Sequence, residues 1–229
     1  MLLELTEVLR CPRDHEESFV VCVSYAAEGR HVVRGVVGCP QCHAEFPIRD
    51  GILDLSEAPG RQADAAEPGE GVHSPGAEAS TQGAQPGARG PHPEQQGPAA
   101  GLTAEALVTF LDLRGPGGYV VLVGAAGRLA AGLAALAPGV HVVAVNAPQG
   151  ARAPECSYVS CPDRIPLKAS QARAVVLGAE RAVEPWLGEA SRVLLRGLRV
   201  VVEDERASPE GITELARGAG VFVGAKTGR

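Results

Sequence analysis

Two thiols stand two residues apart at Cys39-Pro40-Gln41-Cys42, and Cys11-Pro12-Arg13-Asp14-His15 supplies a facing half. Zinc takes four ligands tetrahedrally from thiolate, imidazole or carboxylate, and this spacing is that of a zinc knuckle. A regular knuckle would carry cysteine at position 14. The fourth ligand must therefore come from Asp14, from His15 beside it, or from Cys22. Imidazole is the commoner partner of thiolates, so the expected set is Cys11, His15, Cys39 and Cys42, with one zinc per chain. Asp14 and Cys22 remain alternatives, although Cys22 lies in an alternating segment and reads more readily as a small buried hydrophobe. Two rival readings exist: a pair of inert core thiols, and the haem-attachment spelling C-x-x-C-H at Cys39–His43. Haem attachment requires export, and the opening MLLELTEVLR carries acids where a signal peptide needs a basic region.

No other chemistry announces itself. There is no Ser-His-Asp, paired-carboxylate or P-loop arrangement. His141 heads a strand without an evident catalytic partner, Trp186 reads as a helix-face packing residue, and Cys156 and Cys161 read as free thiols of a reducing compartment.

The elements that must position these residues fall into two groups. The eight aromatic residues of the 229-residue chain lie within 19–46 or 110–222, with none between. From Ala58 to Gly101 the sequence is mostly Pro, Gly, Ala, Glu, Gln and Ser, with Val72 its only sizeable aliphatic side chain. Such a segment cannot bury enough apolar surface to offset the entropy of ordering. It reads as a disordered linker, 58–101, tethering two units without fixing their geometry.

The first unit, 1–57, opens with Leu2, Leu3, Leu5, Val8 and Leu9 at near-helical spacing, then turns Val-rich over Ser18–Ser24 and His31–Val37, the signature of a hairpin. Its core is small, so a staple is expected. The second unit, 102–229, alternates. Strands are predicted at Tyr119–Val123, Val140–Val145, Ser157–Val159, Ala174–Leu177, Arg199–Val202 and Val221; helices at Thr103–Leu113, Arg128–Ala137, Ala182–Val193 and Pro209–Arg217. Val-rich strands between helices imply an α/β fold with a mostly parallel sheet covered on both faces. The net charge of −6 offers no basic face for phosphate neutralisation, so direct nucleic-acid binding is not expected. Leu129–Val145, the longest apolar run, is broken by Pro138, Gly139 and His141, so no membrane span is expected. These features together predict a cytoplasmic protein.

The pattern LLELTEVLRCP, then strands, then CPQCHAEFPIRDGILDL resembles the small zinc-ribbon proteins that bind and activate methyltransferases of tRNA and translation factors. Phe46, Pro47, Ile48, Asp50, Gly51 and Ile52 match the aromatic-Pro-Ile-x-Asp-Gly-Ile ending of their bacterial relatives. Asp14 departs from the pattern, which has its second cysteine there. TAEALVTFLDLRGPGGYVVLVGAAGRLAAGLAAL resembles the opening of a class I S-adenosylmethionine-dependent methyltransferase. Ile165-Pro166-Leu167 is similar to its segment before the fourth strand, and Arg192-Val193-Leu194 with Gly197 to its turn before the fifth.

That second resemblance implies a trimmed Rossmann-like, doubly wound sheet and, if the cofactor pocket is retained, contacts from Gly124, Gly127, Asn146 and Asp163. Glycine there lets the backbone approach the methionine moiety, and an acid at the end of the second strand would hold the ribose. The polar positions depart from the family. Its second and third glycines align with Ala126 and Arg128, its leading acid with Leu122, its ribose acid with Asn146, and its adenine-side acid near Cys161. Two further acids become Ala169 and Arg173. Residues 147–156 are too short for the family's full helix, and its antiparallel terminal hairpin is expected to be missing, which would leave an edge for a partner or the zinc unit to cover. The reading is a catalytically degenerate methyltransferase-like protein acting through another protein subunit as adaptor, regulator or structural component. The alternative is an active S-adenosylmethionine-dependent methyltransferase carrying its own activator-like ribbon.

Overall fold

The computed structural model describes residues 1–56, 101–150 and 152–227; apart from Gly101, the linker reading therefore lies outside the described residues. A 3₁₀ turn over Leu3–Glu7 is followed by β1 (Val21–Glu28), β2 (His31–Gly38), β3 (Glu45–Arg49) and β4 (Ile52–Asp54). Then come α1 (Ala104–Phe110), β5 (Tyr119–Val123), a 3₁₀ turn over Gly124–Leu129, α2 (Ala130–Leu136), β6 (His141–Val145), β7 (Ser157–Ser160) and β8 (Ala172–Leu177). Last are α3 (Trp186–Val193), β9 (Leu194–Val202), β10 (Ile212–Gly218) and β11 (Val221–Lys226). Among the described residues no helix is long and apolar enough to cross a membrane.

All eleven strands belong to one sheet, in the order β1-β2-β3-β4-β7-β6-β5-β8-β9-β11-β10. The run β7-β6-β5-β8-β9 is parallel and carries the 3-2-1-4-5 order of a doubly wound fold. Its Val-rich strands are buried on both sides. Val120, Leu122, Val142 and Ala144 face α1 and α2, whereas Val121, Val123, Val143 and Val145 face α3 and the N-terminal segment.

The geometry expected of a tether differs from what is found. β4 pairs in parallel with β7 through Ile52–Tyr158, Leu53–Val159 and Asp54–Ser160, so residues 1–56 and 102–227 form one compact unit. The reason lies in the connection from β7 to β8, residues 161–171, which has no helix. Leu5 and Leu9 cover the sheet there, in the core with Val121, Val143, Ile165 and Leu167. The Arg10 amide donates to the Pro166 carbonyl and the Lys168 amide to that of Val8, at 3.0 and 2.8 Å. The N-terminal apolar segment thus occupies a face that a crossover helix would otherwise cover, and the expected N-terminal helix is only the 3₁₀ turn because bridges at Leu2–His31 and Leu9–Leu167 hold its flanks extended.

Two expectations at the C-terminus are corrected. Pro209–Arg217 is not a helix, and the terminal antiparallel hairpin is present: β10 pairs with β11, which pairs with β9. Glu214, Leu215, Ala216 and Arg217 favour helix intrinsically, but pairing overrides propensity. Gly218, Ala219 and Gly220 all adopt positive φ and reverse the chain tightly between the two strands. Pro185 moves the start of α3 to Trp186.

Candidate functional site

The ligand atoms of Cys11, His15, Cys39 and Cys42 all lie within 4.8 Å of one another, and this cluster could hold a metal ion. The Cys11 and Cys42 Sγ atoms are 3.7 Å apart, and the Cys39 Sγ is 3.3 Å from His15 Nε2. A tetrahedron with metal–sulfur bonds of ~2.3 Å has edges of ~3.8 Å. The His15 tautomer also suits a ligand. Its Nδ1 lies 2.7 Å from the Glu16 carbonyl, which can only accept, so Nδ1 carries the proton and Nε2 presents its lone pair to Cys39. Two loops position the sulfurs. The Arg13 amide donates to Cys11 Sγ, and the His43 amide to the Cys39 carbonyl while the Cys39 amide meets Ala44. Burial pushes the Cys11 thiol up to about 12. Burial opposes ionisation of Cys39 as well, yet the Cys42 and Gln41 amides and the neighbouring thiols bring it down to about 7. Asp14 and Cys22 are outside the cluster; Cys22 packs against the core of the sheet.

The second candidate lies where the strand order reverses, at the carboxyl ends of β5 and β8, the place where open α/β sheets bind ligands. Gly124 follows β5 at φ 63°, and the Gly178 amide after β8 donates to the Val123 carbonyl at 3.0 Å. The crevice between them is filled by the chain itself. Glu180 accepts the Ala125 amide at 2.7 Å. A Cβ on Gly124 would stand 1.9 Å from Glu180 Oε1, and one on Gly178 2.7 Å from Oε2. Arg181 stacks over Trp186, its guanidinium 4.5 Å from the ring centre. Arg128, in place of the family's third glycine, binds Glu203 beyond β9 through two contacts, one at 3.0 Å.

The remaining predicted contacts are also engaged or turned away. Gly127 abuts the residue after β6, with a notional Cβ 2.5 Å from that of Ala147. Asn146, at φ 53°, donates through Nδ2 to the Cys161 carbonyl at 2.5 Å and accepts the Cys161 amide on Oδ1 at 2.8 Å. Its amide extends the β6–β7 pairing by one rung. Asp163 is exposed, with Arg164 at 3.3 Å. The positions expected to contact S-adenosylmethionine thus meet this chain's own groups, Glu180 at Gly124 and Gly178 and Ala147 at Gly127. Glu180 and Glu203 gave no sequence signal, because Glu180 is a lone acid shortly after β8 and Glu203 only opens the charged run Glu203-Asp204-Glu205-Arg206 after β9.

No protein-family model matches the chain. No curated protein matches it. Solved structures with some likeness to it are methyltransferases. The antibiotic-resistance methyltransferase Kmr is 15% identical over 57% of this chain and 95% of its own, with a TM-score of 0.41. A SAM-dependent methyltransferase from Aquifex aeolicus is 14% identical over 53% of this chain and 87% of its own, with a TM-score of 0.40. A putative methyltransferase from Bacillus halodurans C-125 is 23% identical over 43% of this chain and 49% of its own, with a TM-score of 0.33. The mixed α/β, Rossmann-like fold of this chain is given by its own strand order.

Proposed function

We propose that this chain is a catalytically degenerate methyltransferase-like protein that carries a zinc-binding N-terminal ribbon and acts through protein–protein contact, as adaptor, regulator or structural subunit of a complex. The observation that carries the reading is the Glu180 carboxylate lying on Gly124, Gly178 and the Ala125 amide. A loop amide of this kind is an anion site, and here the chain supplies its own anion. Admitting a cofactor would require Glu180 to leave, and its replacement there would be another carboxylate, that of the methionine moiety. The ion pair of Arg128 and Glu203 adds a second closure across the same edge. Zinc is the metal that three thiolates and an imidazole suit best. Six free cysteines fit a reducing, cytoplasmic setting.

Methyl transfer tests this reading. The full chain, incubated with methyl-labelled S-adenosylmethionine and cell-lysate fractions, is expected to give no label above a chain-free control. Label that depends on this chain would overturn the reading in favour of the active methyltransferase.

A further inference from the structure

The two edges of the sheet are unlike each other. β10 carries Glu214 and Arg217 as an ion pair, whereas β1 has no charged residue from Val21 to Ala27. Among the described residues no strand pairs with the outer edge of β1. Uncharged free edges offer unpaired amides and carbonyls to another strand, and proteins ordinarily guard them with charge. Val20 and Cys22 point toward the core, while Phe19, Val21, Val23 and Tyr25 are exposed by 59, 49, 52 and 60%. Val21 and Val23 share one face of the edge, with Phe19 just before the strand and Tyr25 at its bulge.

We propose that β1 is a homodimer interface in which two copies join edge to edge, antiparallel, about a two-fold axis at Cys22. The argument is the order of the stripe, which runs aromatic, valine, valine, aromatic and is symmetric about residue 22. A two-fold pairing with Cys22 opposite Cys22 sets each Phe19 against a Tyr25 and each Val21 against a Val23 of the second copy. Aromatic and β-branched cross-strand pairs are the ones that stabilise antiparallel sheets. A bulge at Tyr25, between Ser24 and Ala26, ends the regular ladder at Ser24, so the regular pairing rests on residues 21–24 with Phe19 and Tyr25 at its two ends. At about half exposure the four side chains present roughly 400 Å² per chain. With the strand backbone, pairing buries on the order of 800–1,000 Å² in total, the low end for specific interfaces. The dimer is therefore reversible, with Kd in the micromolar range. Glu16 and Glu28 flank the stripe, so the axis brings like charges together at both ends, and added salt strengthens the dimer. This interface is independent of the crevice and of whether a cofactor binds.

Sedimentation equilibrium of the full chain tests it. The expected result is a monomer–dimer equilibrium that shifts toward dimer as salt rises. Val23→Lys, at an exposed position, should weaken it by about tenfold or more by placing charges beside the axis. Directly opposed residues have Cα atoms ~4.5–5.5 Å apart, within the range a disulfide spans. Diamide should therefore link two copies through Cys22: the two thiols lose two protons and two electrons, and the diazene becomes a hydrazine. Cys22→Ser should abolish the link. A chain that stays monomeric at ~200 µM, well above a micromolar Kd, overturns the proposal. So does a dimer indifferent to Val23→Lys, or a cross-link that survives Cys22→Ser. A monomer whose β1 amides are protected from exchange would mean that another part of the chain covers the edge, and would overturn it equally.

Discussion

Glu180 accepts the amide of Ala125 at 2.7 Å, across the point where the order of the sheet reverses. The carboxylate stands where the fold's ligands enter, and Arg128, three residues beyond Ala125, is tied to Glu203. The two ends of the loop after β5 are thus held by acids from the loops after β8 and β9. Opening this edge means breaking a charge-assisted hydrogen bond and an ion pair, both at an exposed rim where solvent screens them.

Asn146 separates a structural role from a cofactor role. Asn146→Asp restores the acid expected of a ribose contact, but a carboxylate cannot donate to the Cys161 carbonyl now 2.5 Å from Nδ2. The variant should lose about 1–3 kcal/mol of stability, measured by urea unfolding, and should gain no affinity for S-adenosylmethionine. A variant of unchanged stability that binds the cofactor would contradict the structural role.

Metal removal should loosen the ribbon. Freshly purified chain is expected to hold one zinc by elemental analysis, and less than about a tenth of a zinc per chain would refute the metal assignment. Chelation, or Cys39→Ser, should lower the melting temperature by roughly 10 °C, since several kcal/mol of metal binding is linked to folding. Asp14→Ala should leave metal content unchanged, because Asp14 lies outside the ligand cluster.

Stability should fall in mild acid. His141 is pushed down from 6.5 to about 4, by burial first and then by the neighbouring charge of His31. Its Nε2 lies 2.8 Å from the Ser157 hydroxyl, which also accepts the Leu2 amide. Between pH 6.5 and 4 the unfolded chain binds the proton that the folded chain refuses, so stability rises with pH across this window. It is fully present above pH ~6.5 and is lost as the pH drops toward the folded value. His141→Gln should flatten the slope of melting temperature against pH there. Identical slopes would remove His141 from the account.

The β4–β7 junction predicts one unfolding transition. Leu53 is fully buried in a core that also contains Val121, Val143 and Ile165. Leu53→Ala should cost about 2–5 kcal/mol and lower a single calorimetric transition. A separate low-temperature transition for residues 1–56, with the remainder unmoved, would show two independent units instead.

Much of this was written in the sequence and some of it was not. Tyr119–Val123 was legible to the residue, because a strand buried on both faces must be a continuous apolar run. The grouping of Cys11, His15, Cys39 and Cys42, which could hold a metal, was suggested by the spacing of thiols and imidazole in the sequence. β10 was not: Glu214, Leu215, Ala216 and Arg217 carry a helical preference, and only the neighbouring β11 decides against it. The union of residues 1–56 with the parallel sheet was hidden for a similar reason, since the pairing of Leu53 with Val159 joins residues on opposite sides of a long intervening segment. Departure from the methyltransferase pattern was visible at Ala126, Arg128 and Asn146, but the contacts that Arg128 and Asn146 make instead were not. Those depend on Glu203 and Cys161, which come near only when the chain folds.

Calorimetric titration of the full chain with S-adenosylmethionine tests the closed crevice most directly. Gly124→Arg is a poor control, because at φ 63° any Cβ collides with Glu180 and the variant would be strained whether or not a cofactor binds. Competition by S-adenosylhomocysteine serves instead. The account predicts no heat of binding up to millimolar cofactor; micromolar binding that S-adenosylhomocysteine displaces would contradict it.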